Sequence, residues 1–229
     1  MKLRNGLLTA ALLATFCSLP LRADSIVNGS FEAPVVSAGG FTNFPNGSTG
    51  INGWTVIGAP GGVSIVSGTF TQNGISFPAE DGNQWLDLTG DGTNSNEGVQ
   101  QSFATTVGAQ YTLSFWVGNV DNPGGIFGTS STVEVLLGDS ILLSATNGNT
   151  TITGTQTWNE FVTTFTATGS TTSLAFVNGD PASDNSNGLD NVSVNLSGVQ
   201  PPTVPEPSTL VLLGSGSLGL LGWARKKLA

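Results

Sequence analysis

The chain has 229 residues, with 15 acidic and 6 basic side chains, no histidine and one cysteine, for a net charge of −9. All the basic residues lie at the ends (Lys2, Arg4, Arg22, then Arg225, Lys226 and Lys227), and every acid falls between Asp24 and Glu206. A middle without cations cannot contact phosphates, which excludes nucleic-acid binding. It also excludes salt bridges, a Schiff-base lysine and a histidine base. Charged residues make up only 9% of the chain, but a mean hydropathy of +0.13 and twelve Phe and five Trp supply a core. The middle is therefore expected to fold and not to be disordered.

At the start, Lys2 and Arg4 precede the apolar residues 7–16 and then Leu21-Arg22-Ala23. A charged start, a short apolar stretch and a small residue at the cut form the layout of a secretory signal peptide, assigned to residues 1–23. A buried helix of the mature fold is the alternative. Cys17 lies inside this segment behind Phe16, where a lipoprotein would need a small residue. The mature chain is thus expected to have no disulfide and no thiol chemistry.

Residues 24–198 are assigned to one all-β domain, an antiparallel β-sandwich or jelly roll. Short β-branched and aromatic runs at residues 84–88, 111–117, 132–137, 160–166, 173–177 and 189–196 alternate with Gly, Asn, Asp and Pro clusters, and no amphipathic helix intervenes. Period two places Tyr111, Leu113, Phe115 and Val117 on a core face, and Gln84, Leu86 and Leu88 on one side of their strand. Trp85, Asp87 and Trp116 then fall on faces that are otherwise polar.

That position makes Trp85 and Trp116 candidates for a sugar platform. A flat ring suits pyranose C–H groups, and neighbouring Asp87, Asn119 and Asp121 could bind hydroxyls. Burial beneath a second layer is the competing reading. Catalysis is not expected: serine and cysteine mechanisms lack their histidine, zinc lacks its usual ligands, and the adjacent Glu80 and Asp81 point apart. Only paired-carboxylate glycoside chemistry survives on residue types. Five Asn-x-Ser/Thr sequons, at Asn28, Asn46, Asn149, Asn191 and Asn195, are read as a product of composition.

Near the end, residues 199–208 form a Pro-rich linker containing Pro205-Glu206-Pro207. An apolar, glycine-bearing segment at 209–224 is assigned as a transmembrane helix, and the basic tail at 225–229, with Arg225, Lys226 and Lys227, as cytoplasmic. In this order the elements resemble the PEP-CTERM sorting signal of Gram-negative bacteria. The resemblance implies processing by an exosortase, passage through a membrane-anchored form, and delivery to the cell surface or extracellular matrix. An ordinary single-pass anchor is the alternative.

A second resemblance spans nearly all of the middle. The motifs Asn28-Gly29-Ser30-Phe31-Glu32, Gly53-Trp54, Asn83-Gln84-Trp85-Leu86-Asp87-Leu88, Tyr111-Thr112-Leu113-Ser114-Phe115 and Gly188-Leu189-Asp190-Asn191-Val192 look like the galactose-binding-like jelly rolls, which include many carbohydrate-binding modules. That resemblance implies a structural calcium ion held by Glu32 of the opening motif and Asp190 of the closing strand, and an all-oxygen donor set suits calcium. Asp184, Ser186 and Gly188 precede Asp190 at alternating spacing, a faint echo of a calcium loop. The expected function is a non-catalytic, exported surface or matrix protein with affinity for polysaccharide. A structural or adhesive protein with protein partners is the alternative, and a glycoside-active enzyme the third.

Overall fold

In the computed structural model, residues 26–58, 61–91, 96–150 and 154–197 are described. The expected signal helix, transmembrane helix and Pro205-Glu206-Pro207 motif lie outside them. The alternation in residues 111–117 is realised as a ten-residue strand, Gln110–Asn119, in which Tyr111, Leu113, Phe115 and Val117 are all buried. Its antiparallel neighbours are Thr157–Thr166 on one side and Gly188–Leu196 on the other. Each side chain facing the core is flanked by others doing the same, so the sheet buries one continuous apolar face.

Among the described residues thirteen strands follow in order. They are β1 (Phe41–Pro45), β2 (Thr55–Ile57), β3 (Gly62–Ser67), β4 (Thr71–Gln72), β5 (Ile75–Ser76), β6 (Gln84–Asp91) and β7 (Gly98–Ala104), then β8 (Gln110–Asn119), β9 (Ser131–Leu137), β10 (Ser140–Asn147), β11 (Thr157–Thr166), β12 (Thr171–Asn178) and β13 (Gly188–Leu196). A six-stranded sheet, β1-β3-β6-β13-β8-β11, packs on a five-stranded sheet, β10-β9-β12-β7-β2. All the pairings are antiparallel. This is the expected sandwich. Between the sheets, Phe115 meets Phe176 edge-on at 5.2 Å, and Trp54 lies 5.5 Å from Phe31 and 6.1 Å from Phe176.

The opening motif locks onto the closing strand. The carbonyl of Gly29 accepts the N–H of Val192 at 3.0 Å, and a Cβ at Gly29 would stand 2.0 Å from the Val192 carbonyl oxygen. Only glycine permits that approach. The Gln84 side chain closes the motif from the other side, donating to the carbonyls of Phe31 at 2.6 Å and Pro34 at 2.7 Å.

The outer face of the six-stranded sheet carries a second apolar layer. Residues 68–83 fold back across it around the β4–β5 hairpin, whose Asn73 and Gly74 both have positive φ, as a tight hairpin turn requires. Phe77 from this segment stacks on Trp85 at 6.1 Å and meets Phe127 edge-on at 5.2 Å. Trp158 meets Trp85 at 6.0 Å, and Val66, Ile75 and Val120 complete the cluster.

Candidate active site

This second layer is incomplete. Where it ends, a cavity of about 330 Å³ opens between β1, the 68–72 segment, the 126–127 loop and the outer face of β3 and β6. Phe41, Phe70, Phe127, Ile126 and Val66 give it apolar walls, and the polar groups include Ser64, Asp87 and Asn185. Phe41 and Phe70 meet edge-to-face at 5.6 Å, while Phe41 and Ile126 are exposed at 52% and 43%, which places apolar surface at the mouth.

Asp87 is half-buried on β6, opposite Ser64 of β3. Its Oδ1 accepts three hydrogen bonds: from the Thr89 hydroxyl at 2.7 Å, the Thr89 N–H at 3.0 Å and the Asn187 N–H at 3.2 Å. Burial nevertheless pushes the carboxyl up to about 6, against the lowering effect of those bonds. No cation from this part of the chain can offset the desolvation, because none exists between Arg22 and Arg225. A carboxyl in an apolar niche keeps its proton to higher pH.

Asp184 belongs to the same electrostatic group. Burial first, and the charge of Asp87 after it, raise its carboxyl to about 7. Its Oδ1 accepts the Ser186 N–H at 3.3 Å, and its other oxygen lies so close to Gly128 that a Cβ there would overlap it. The loop carrying Phe127 is thereby seated on the acid. Asp180, next along the same connection, is raised to about 8 by burial, with smaller contributions from the charges of Asp184 and Asp87.

Of the five residues read as a sugar platform, only Asp87 lines this cavity. Trp85 is 1% exposed, donates its indole N–H to the Phe77 carbonyl at 3.2 Å and is core of the second layer; the expectation of a ligand-facing ring is corrected there. Asn119 is fully buried and donates to the carbonyls of Thr129 and Asn149, both at 3.2 Å. Asp121 is also buried. Trp116 is half-buried, level with Glu160 of β11 and Asp190 of β13. The segment 68–83, which immediately precedes Trp85 and folds back over it, removes the exposure that period two suggested for the ring.

Glu32 and Asp190 reach the same turn from its two ends. Asp190 Oδ2 accepts the N–H groups of Glu80 at 2.9 Å and Asp81 at 3.1 Å. Glu32 Oε1 accepts those of Asn83 at 2.7 Å and Gln84 at 2.9 Å. These oxygens are hard donors of the type calcium takes. Among the described residues, however, no three acidic, His or Cys side chains converge on one point. Both carboxylates serve as acceptors for the turn.

The fold is an antiparallel sandwich whose outer cavity brings Asp87 together with Phe41, Phe70 and Phe127. The chain belongs to the HpiC1-like family, described as HpiC1 cyclase, which it matches over residues 22–194. Residues 203–226 match the PEP-CTERM protein-sorting motif, so the chain carries a signal for export through a membrane-anchored intermediate and for exosortase processing. No curated protein matches the chain.

Among solved structures, the Stig cyclase Fisc from Fischerella sp. TAU, in complex with (3Z)-3-(1-methyl-2-pyrrolidinylidene)-3H-indole, is 18% identical with a TM-score of 0.52, covering 77% of this chain and 98% of that one. A cyclase from Fischerella sp. TAU in complex with 4-(1H-indol-3-yl)butan-2-one is 19% identical with a TM-score of 0.52, covering 79% and 100%. A family 35 carbohydrate binding module from an environmental isolate is 18% identical with a TM-score of 0.35, covering 48% and 74%.

The family match overturns the expectation of a non-catalytic domain. That expectation rested on the missing His, Cys and Lys. Those absences remove histidine-assisted, thiol and Schiff-base chemistry from the middle, but a buried carboxyl needs none of them to move a proton. The residues that sequence reasoning missed are Phe41, Phe70, Phe127 and Thr89. The one signal that touched the site beyond Asp87 was the spacing of Asp184, and it was read as a faint echo of a calcium loop.

Proposed function

We propose that this chain is an exported cyclase that uses Asp87 as a proton donor to an apolar, π-rich substrate. The observation that supports it above all is a carboxyl raised to about 6 that lines a cavity together with Phe41, Phe70 and Phe127. The Fischerella enzymes carry indole compounds, and an indole-bearing alkene is the substrate class that fits such walls.

In the step, the Asp87 proton passes to an unsaturated carbon of the substrate, leaving a carboxylate and a carbocation. A second π bond of the same molecule attacks the cation and closes a ring with a new carbon–carbon bond. The ring cation then loses a proton to the Asp87 carboxylate, which restores the acid. The overall change is an isomerisation without oxidant or reductant. Ring faces attract the transient positive charge, each by about 0.5–2 kcal/mol, and the apolar walls keep water from trapping it. Asp184, raised to about 7, keeps a second negative charge away from Asp87 as pH falls below that value.

The test is turnover of indole-bearing alkenes by the full chain. Asp87→Asn is expected to lower the rate at least about a hundredfold, as loss of a general acid does, with the melting midpoint retained. Full turnover in that variant would sink the proposal.

A second reading rests on Trp116. Delivered to the cell surface or extracellular matrix, the domain would meet polysaccharide, and Trp116 is the ring of the expected pair that still reaches solvent. A glycan array lost on Trp116→Ala supports it; a blank array removes it. Calcium at Glu32 and Asp190 is carried as part of the same proposal. A higher melting midpoint in calcium than in chelator is expected, and coincident curves would remove the ion.

A further inference from the structure

The hairpin that folds back over the six-stranded sheet brings a polar side chain to the cavity of Asp87. Gln72 of β4 is the register partner of Ile75 of β5, and directly paired residues of antiparallel strands share a face. Ile75 is buried in the second apolar layer with Val66 and Trp85, so that face of the hairpin is turned to the sheet. Gln72 lies on it, remains exposed, and lines the same cavity as Asp87. The two residues reach the cavity from different sides, Gln72 from the covering segment and Asp87 from β6.

Other polar groups of the lining are less available to a ligand. Ser64 and Thr89 are each 2% exposed. The Ser64 hydroxyl donates to Asn43 Oδ1 at 2.6 Å, and the Thr89 hydroxyl to Asp87 Oδ1 at 2.7 Å. Asn185 is exposed, and its backbone N–H donates to the Ile126 carbonyl at 2.9 Å. The rings of Phe41, Phe70 and Phe127 have no lone pair to offer. A ligand N–H enclosed among them loses its bond to water and needs another acceptor. The Gln72 side-chain carbonyl is one, with two lone pairs.

We propose that Gln72 is the specificity-determining residue of this cavity, its Oε1 accepting the ring N–H of an indole whose unsaturated side chain extends to Asp87. The fate of the side chain rests on the cyclase reading; the N–H contact does not. Holding the ring at one end fixes which carbon of the side chain meets the acid, and so which ring closes.

Calorimetric titration of the full chain with 3-methylindole and 3-methylbenzofuran is the test, because the two ligands share a shape and differ at the N–H. The indole is expected to bind about three- to tenfold more tightly, as one neutral hydrogen bond allows. Gln72→Leu should abolish that preference, and Gln72→Glu, which keeps an acceptor, should retain it. The position is exposed, so neither change disturbs the core. A preference that survives Gln72→Leu would overturn the proposal. So would a preference lost in Asp87→Asn or Asn185→Leu instead, or no binding of either ligand. Turnover is a separate readout. A chain that shows the preference but closes no ring keeps the N–H contact and loses the cyclase reading; ring closure with equal affinity for both ligands does the reverse.

Discussion

Asp87 shows how much of a residue's chemistry depends on what covers it. On an exposed strand it would be an ordinary carboxylate; buried in its cavity it is raised to about 6, despite the lowering bonds from Thr89 and Asn187. Because the protonated form is the reactive one, turnover is expected to fall as pH rises through about 6, which a pH–rate profile reads directly. Stability should follow the same sign. Asp87, Asp184 and Asp180 are all raised in the folded state, to about 6, 7 and 8 from 3.8. Between about pH 4 and 8 the unfolded chain therefore binds fewer protons, and folding weakens as pH rises across that window. A melting midpoint that climbs from pH 4 to 8 would refute the assignment. Trp85 makes the complementary point. Its alternation was legible, but its environment was not, because the covering Phe77 lies in a turn-rich segment that no periodicity marks.

At the scale of elements, the strands that pack a single face were the readable ones. β8, β9, β11, β12 and β13 announce themselves by alternation, and β6 does so although both of its faces are covered. β3 does not, because all six of its residues are buried: one face meets the sandwich core and the other the second layer, so its side chains need not alternate. The contact between the opening motif and β13 is an element-level lock with a direct test. Gly29→Ala would drive a methyl group into the Val192 carbonyl and is expected to destabilise the fold by about 2 kcal/mol or more, within the range for strained or overpacked sites. A melting curve checks this, and an unchanged midpoint would show that the two segments can part without cost. The alternating spacing of Asp184, Ser186 and Gly188, read as a faint echo of a calcium loop, was a signal of the same local kind. Spacing along one segment gave no sign that Asp184 sits on Gly128, 56 positions away in the chain.

For the whole molecule, the division of charge separates address from chemistry. The basic ends flank a domain without cations, and the match of residues 203–226 to the sorting motif gives the C-terminal end its role. Glu206→Ala is expected to leave an unprocessed, membrane-retained form, visible by fractionation and mass; normal processing would count against recognition of the motif. The sequence by itself determined the all-β architecture, the sorting signal and a middle without His, Cys, Lys or Arg. Those features are local, written in period two, in a terminal motif and in composition. Only the tertiary structure decided that the domain has an acid worth the name. Asp87 shares its cavity with Phe41, Phe70 and Phe127 from three separate segments, and a carboxyl keeps its proton because of what surrounds it in space.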